Sequence, residues 1–510
     1  MADLNGRGRP GELTALLTAG IAPNSVPHPA SGNAPAAVGP GSSAGGAGQG
    51  AEGAAAVVAL PGSLPVDSAT IRKLRDEASK AVTDADPDRL LSAEDKQQQA
   101  RSIVARLVAE WAARHALTAP PLTREQEVAL RAAVFDAMYR AGKVQALLDD
   151  TSVEDILLDG ENVVVDYFDK PRAMGRRLFE SDVELTGWVN EMARESGHGE
   201  RQLSTASPSV AFRLPDGSRV QASLLTTRPS VSIRRHRIRH TALEDLVDWG
   251  TLSPSLVQFL RACVEARKNV LIAGDMGAGK TSLLRALARA IPEWERIVTL
   301  ESDRELYLDD GGPGPYALAF EARESNGERD ASGRLIGEVT IADLFPVALR
   351  YNASRVIVGE VRSVEVVPML QAMTAGGSGS MGTIHARDAE SVIGRLVQLC
   401  TEAGMSEESA NHLIAHSIDV VVYIRLVNET AIGGRRHRFV THVREVHSML
   451  EGGQPTTTEL YAPTADEPRA LPGHPPSFLV DLEREGRFDP GWLHPTHAAW
   501  KHPLETVRAL

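Results

Sequence analysis

Large apolar residues are scarce at the start of the chain. After the short run Leu13–Ile21, residues 23–66 are mostly Ala, Gly, Pro and Ser. Such a segment cannot bury enough apolar surface to offset its ordering entropy, so residues 1–66 are expected to be disordered. Leu13–Ile21 reads as a loose tail, with a docking peptide as the alternative. From Asp67 to Asp150 the spacing becomes helical. Ile103, Leu107 and Trp111 recur at every fourth residue, as do Leu130, Val134 and Met138, with Phe135 and Tyr139 alongside. Pro120-Pro121 separates the two stripes, so residues 67–150 are predicted to form a small helical bundle with these residues as core.

Alternation then replaces the helical period. Val153–Gly160 and Val163–Tyr167 read as strand, turn and strand, and Phe212–Ala222 reads as a hairpin about Asp216-Gly217. Ser230–Arg234 adds a strand, which gives a small α/β domain over residues 151–240. Its end, Arg234–His240, is dense in Arg and His; it reads as a solvated linker or as a phosphate or partner contact. Ser253-Pro254 opens a helix, with Ser as N-cap and Pro at the first helical position, whose buried face would be Leu256, Phe259, Leu260 and Cys263. A second α/β domain follows over residues 241–451. Residues 452–510 are rich in Pro and Gly and read as a loose extension with one helix near Phe478–Arg484. His494, His497 and His502 lie there without a further metal-ligand set.

Within the second domain, Asn269–Ala273 reads as a buried parallel strand and Ser282–Ala290 as a helix. Between them, Gly274 to Thr281 fits the spacing G-x-x-x-x-G-K-[ST] of a phosphate-binding loop. Its glycines let successive N–H groups turn inward onto phosphate oxygens, and the following helix presents its positive end to the same anion. Gly274, Gly277, Ala278, Gly279, Lys280, Thr281 and Ser282 are therefore expected to bind a nucleoside triphosphate. Lys280 would reach the β- and γ-phosphates, and the Thr281 hydroxyl would ligate Mg²⁺. Strand before and helix after argue against a chance match.

Composition narrows the partners. A net charge of −13 argues against general nucleic-acid binding, which needs a basic surface to displace counterions. Cys263 and Cys400 are the only cysteines and lie far apart, so they read as inert core thiols rather than a disulfide or metal set. No apolar run approaches the roughly 18 residues of a spanning helix. Leu13–Ala22 only faintly resembles a signal core, and a cytoplasmic protein is the simplest reading.

Hydrolysis needs more than a phosphate loop. Ser354–Arg362 is a second apolar strand ending in an acid, and the chemistry of parallel sheets sits at the carboxyl ends of their strands. There Glu360 would orient or deprotonate a water and hold Mg²⁺ through a water. The strand Arg296–Leu300 ends in Glu301-Ser302-Asp303-Arg304-Glu305, where Glu301 or Glu305 would help position water and metal. His385 follows a glycine-rich stretch, Gly376–Ile384, which looks like a mobile sensor loop. His385 reads equally as a γ-phosphate sensor and as a packed histidine.

The order of phosphate loop, Glu301 to Leu306, Ile357–Arg362 and Thr383-Ile384-His385 resembles the type II/type IV secretion ATPase superfamily. Within it the chain looks most like the tight-adherence (Flp-type) pilus motors and the related conjugation and type IV secretion ATPases. The resemblance runs from about residue 150 to 445. It implies a RecA-like P-loop NTPase domain preceded by a small α/β domain, with ATP bound between them. It also implies a homo-hexamer at the cytoplasmic face of a membrane, driving an inner-membrane platform protein. By the family pattern Glu301 belongs to the acidic box, Glu360 is the Walker B glutamate and His385 the histidine-box residue. Arg219 and Arg234 match arginines that reach the γ-phosphate, and Arg323, Arg350 and Arg362 match others around the site.

The chain departs from the family pattern in places. Gly376-Gly377-Ser378-Gly379-Ser380 lacks a histidine that relatives carry. Ser302 stands where Asp is usual, and Asn352-Ala353-Ser354 replaces Arg-Pro-Asp. Gly359 in place of the usual Walker B aspartate is normal for the superfamily. The same sequence also fits two rivals to an ATP-driven motor: a nucleic-acid translocase on the same core, and a nucleotide-gated scaffold with little turnover.

Overall fold

The computed structural model describes residues 56–57, 66–86, 91–176, 178–196, 202–235, 240–323, 325, 329–333, 335–375, 377–451 and 453–508. Most of residues 1–66 lies outside that set, as do 236–239, Gly376 and Gly452. The expectations of disorder at the start and of a linker at residues 234–240 therefore fall wholly or partly outside the described residues.

Three helices, Ser68–Ala85, Ala93–His115 and Arg124–Tyr139, pack on one another, each opened by a side-chain cap from Asp67, Ser92 or Thr123. The buried stripe of the second helix is Ala100, Val104, Val108 and Ala112. Expected core residues Ile103, Leu107 and Trp111 lie one position away and are only half-buried. Where helices press closely together small side chains fit the contact, and larger ones close its flanks.

The next unit is a seven-stranded sheet in the order Ala56–Val57, Ala173–Arg176, Asn162–Tyr167, Val153–Asp159, Ser230–Arg234, Arg219–Ser223, Ser209–Arg213. All pairings are antiparallel except that of Ala56–Val57. Strand burial alternates, and the buried face meets Leu185, Trp188, Val189 and Met192 of the helix Asp182–Glu195.

The second sheet has nine strands. Its order is Tyr316–Glu321, Arg296–Glu301, Arg355–Val361, Met381–His385, Val270–Gly274, Val420–Asn428, Arg436–Glu451, Gln454–Ala462, Leu471–Pro472. The first six are parallel and the last three antiparallel. Every residue of Val270–Gly274 is buried, as a strand covered on both faces requires. The molecule is thus mixed α/β, a three-helix unit followed by two sheets with their helices.

The C-terminal residues correct one expectation. The segment after residue 452 is not loose: Gln454–Ala462 extends the sheet, and Leu460, Tyr461, Ala470, Leu482 and Phe488 enter the core around the Val270–Gly274 strand. Tyr461 packs on Phe259 with ring centres 5.3 Å apart and the rings tilted by 55°, and its hydroxyl lies 3.0 Å from Ser255 Oγ. These anchors are single residues separated by Pro and Gly, so they produce no periodic window. His494, His497 and His502 do not converge on a metal. His494 Nδ1 bonds Thr496, His497 packs on Trp492, and the His502 carbonyl accepts from Arg469.

Candidate nucleotide site

Parallel pairing brings the carboxyl ends of Val270–Gly274, Arg296–Glu301, Arg355–Val361 and Met381–His385 to one edge of the sheet, with His385 in register beside Gly274. The chain turns there through three glycines at positive φ, Gly274 (154°), Gly277 (72°) and Gly279 (96°). A Cβ on Gly274 would stand 2.2 Å from the Ile424 carbonyl oxygen, so no other residue fits. The helix Lys280–Arg289 then begins without a side-chain cap. Its first N–H groups are left to the mouth of the loop, an arrangement that suits an anion. All seven residues expected to bind phosphate occupy this turn and the first turn of the helix.

Lys280 Nζ donates to the carbonyls of Gly274 (3.1 Å) and Asp275 (2.9 Å) and to His385 Nδ1 (3.1 Å). His385 Nε2 lies 2.6 Å from Glu360 Oε1. An ammonium offers only donors, so Nδ1 accepts and Nε2 carries the proton that is given to Glu360. Burial lowers the Lys280 pKa to about 8 against the pull of Glu360 and Asp275. Burial, then the Lys280 charge, also lowers the His385 pKa, which keeps the ring neutral in this relay. The other oxygen of Glu360 pairs with Arg362.

Glu301 is buried deepest. Its Oε1 accepts the N–H groups of Glu305 and Leu306, both at 2.9 Å, while Oε2 finds no hydrogen-bond partner among the described residues. Burial raises its pKa to about 7, opposed by those two N–H groups. A Cβ on Gly359 would stand 3.1 Å from Glu301 Cγ. Glu301 thus occupies space beside position 359, so a side chain there would have to displace it. The Thr281 hydroxyl and the Glu360 carboxylate are hard oxygen donors of the kind Mg²⁺ takes, and Glu301 Oε2 is a buried oxygen without a hydrogen-bond partner among the described residues.

The predicted arginines separate. Arg219 reaches from the seven-stranded sheet to Asp303 at 2.7 Å, beside the acidic box. Arg234 is bound to Asp155 at 2.9 Å within its own sheet and faces Glu305 electrostatically. Arg362 sits on Glu360. Arg323 is directed elsewhere: its Nε donates to the Gly337 carbonyl at 2.7 Å, and its backbone forms a bridge with Val339. Arg350 is exposed at the end of the helix Ile341–Ala348.

The glycine-rich stretch before His385 also differs from expectation. Residues 377–380 precede their strand and so lie at the amino end of the sheet, about 16 Å from the phosphate loop for a five-residue strand. The N–H groups of Gly379 and Ser380 bond Asn269 Oδ1 at 2.9 and 3.0 Å. Only His385 itself reaches the site. Of the departures, residues 377–380 and 352–354 therefore fall at the far end of the sheet. Asp303 and Arg438, both described residues at the site, were not singled out from sequence; Arg438 carried only the weak signal of an Arg-x-Arg strand.

A model of the family described as "Type II/IV secretion system protein" matches residues 173–461. The type IV secretion system protein PtlH of Bordetella pertussis is 36% identical over 270 residues, 47% of this chain and 76% of its own length. The conjugal transfer protein TrbB of Rhizobium radiobacter is 28% identical over 301 residues, 58% of this chain and 85% of its own. Among solved structures, the Legionella pneumophila ATPase DotB matches 59% of this chain and 79% of its own at 20% identity, with a TM-score of 0.43.

Proposed function

We propose a function from one premise: this chain belongs to the family of type II/IV secretion system proteins. On that premise it is an ATPase motor, acting as a homo-hexamer that hydrolyses ATP to drive an inner-membrane platform protein of a pilus or secretion machine. The tight-adherence pilus motors and the conjugation and type IV secretion ATPases are the branches it fits. No helix among the described residues is long and apolar enough to cross a membrane, so attachment at the cytoplasmic face would run through the platform.

One observation carries the reading: Lys280, His385, Glu360 and Glu301 converge on the phosphate loop at a single edge of the sheet. In the proposed reaction the γ-phosphate draws Lys280 Nζ off the Gly274 and Asp275 carbonyls. The amides of the loop bind the β-phosphate, and Glu360 orients a water for attack on the γ-phosphorus and takes its proton, while the bond to the β,γ-bridging oxygen breaks and ADP leaves with that oxygen. Arg219 and Arg234 would exchange their carboxylate partners for phosphate oxygens as the two sheets close, and Arg362 would leave Glu360. Magnesium, held by Thr281 and through a water by Glu360, would supply charge for the developing phosphate. Glu301 and Glu305 would hold its waters.

Steady-state ATP hydrolysis tests the reading. Wild-type protein is expected to turn over ATP only with Mg²⁺, and Glu360→Gln to lose about 10²-fold or more in kcat while still binding ATP. Rings that bind ATP without hydrolysing it, with or without the platform, would favour a nucleotide-gated scaffold.

A further inference from the structure

The phosphate loop is gripped from behind. Arg438, on the strand Arg436–Glu451, donates from Nε to the Gly277 carbonyl at 2.8 Å. Its Nη2 reaches Glu154 Oε1 at 3.3 Å, and its guanidinium lies over the Phe168 ring, 4.7 Å from the centroid. Glu154 and Phe168 belong to the other, seven-stranded unit; Glu154 also holds Arg436 at 2.5 Å through its second oxygen. One arginine therefore touches the loop and the neighbouring domain together.

The planar trans peptide gives that contact a direction. The carbonyl of Gly277 and the N–H of Ala278 share one plane and point oppositely. While Arg438 holds the carbonyl from one side, the Ala278 N–H points the opposite way, toward the Asp275 carbonyl, which it meets only at 3.3 Å. Gly277 and Gly279 have positive φ and little steric restraint of their own, so this peptide would otherwise flip easily. A rigid, permanently charged fork suits three simultaneous partners.

We infer that Arg438 is a positioning residue for nucleotide binding, and that Glu154 and Phe168 set its position from the N-terminal domain. The inference rests on the motor reading for what fills the loop. Nucleotide affinity then depends on where the N-terminal domain sits: when Glu154 withdraws, Arg438 loses its anchor and the Ala278 N–H is no longer held in that orientation. The link is reciprocal, so a bound phosphate favours the domain arrangement that keeps Glu154 on Arg438.

Titration of the full chain with fluorescent ADP, which involves no turnover, tests the link. Glu154→Gln and Arg438→Gln are each expected to raise Kd about tenfold, the scale of one lost charge-assisted hydrogen bond. The double variant should be no worse than Arg438→Gln alone, because Glu154 acts through Arg438. Arg438→Lys, able to hold one partner at a time, should fall between. Thermal melts identify any variant whose loss is only misfolding, and Glu154→Gln, at a half-buried site, serves as the second arm. A wild type that binds no ADP would overturn the motor reading and the link with it. Wild-type binding with Kd unchanged in Glu154→Gln, or fully additive losses in the double variant, would overturn the link alone.

Discussion

Lys280 Nζ stands 3.1 Å from His385 Nδ1, and the opposite ring nitrogen stands 2.6 Å from Glu360. A single imidazole thus joins the cation that would meet the γ-phosphate to the carboxylate that would meet water. Departure of Lys280 toward phosphate frees Nδ1, so the ring can report an occupied loop to Glu360.

That arrangement predicts a split between chemistry and binding. His385→Ala should lower kcat about 10²-fold while changing the ADP Kd less than about threefold. Steady-state kinetics beside an ADP titration would show it. An equal loss in Kd would instead make His385 a residue of ground-state binding.

Lys280 predicts a pH dependence. In the nucleotide-free site burial sets its pKa to about 8, and bound phosphate favours the charged form and raises it. Binding therefore takes up a proton once the free lysine is neutral. The ADP Kd should be flat below about pH 7.5 and rise by up to about tenfold per unit above pH 8. A Kd constant from pH 7 to 9.5 would contradict a lysine held at that pKa.

Glu301 predicts the opposite of ordinary acid denaturation. Burial raises its folded pKa from 4.5 to about 7, so between those values the folded chain keeps a proton that the unfolded chain has lost. Its contribution to stability should fall as pH rises from about 4.5 to 7 and stay level above, by an amount on the order of 1–3 kcal/mol. Urea unfolding of wild type against Glu301→Gln measures this: the difference between the two should change across that window and nowhere else.

Much of the site could be read in the residues. The phosphate-loop spacing, the buried strand before it and the acid at the end of Arg355–Val361 are local signals, and strand direction brought them together. The opening of the helix Pro254–Glu265 was similarly legible, because Ser253 and Pro254 act within one turn. What escaped depends on distant segments. Arg438 matters because residue 154 lies beside it, and nothing in an Arg-x-Arg strand indicates that neighbour. The glycine stretch 377–380 reads as a sensor loop leading into His385, yet the strand Met381–His385 carries that residue away from it to the other end of the sheet.

The burial of Tyr461, Leu482 and Phe488 against the helix that precedes the phosphate loop has a consequence for biosynthesis. A ribosome releases residues 254–289 long before residue 488, so the loop's supporting core stays incomplete through about 200 further codons. The N-terminal sheet, whose strands lie within residues 153–234 apart from the short Ala56–Val57, can close early during synthesis. The nucleotide site is expected to form late, and nascent chains stalled before residue 460 should bind no nucleotide even though every phosphate-loop residue has already been made.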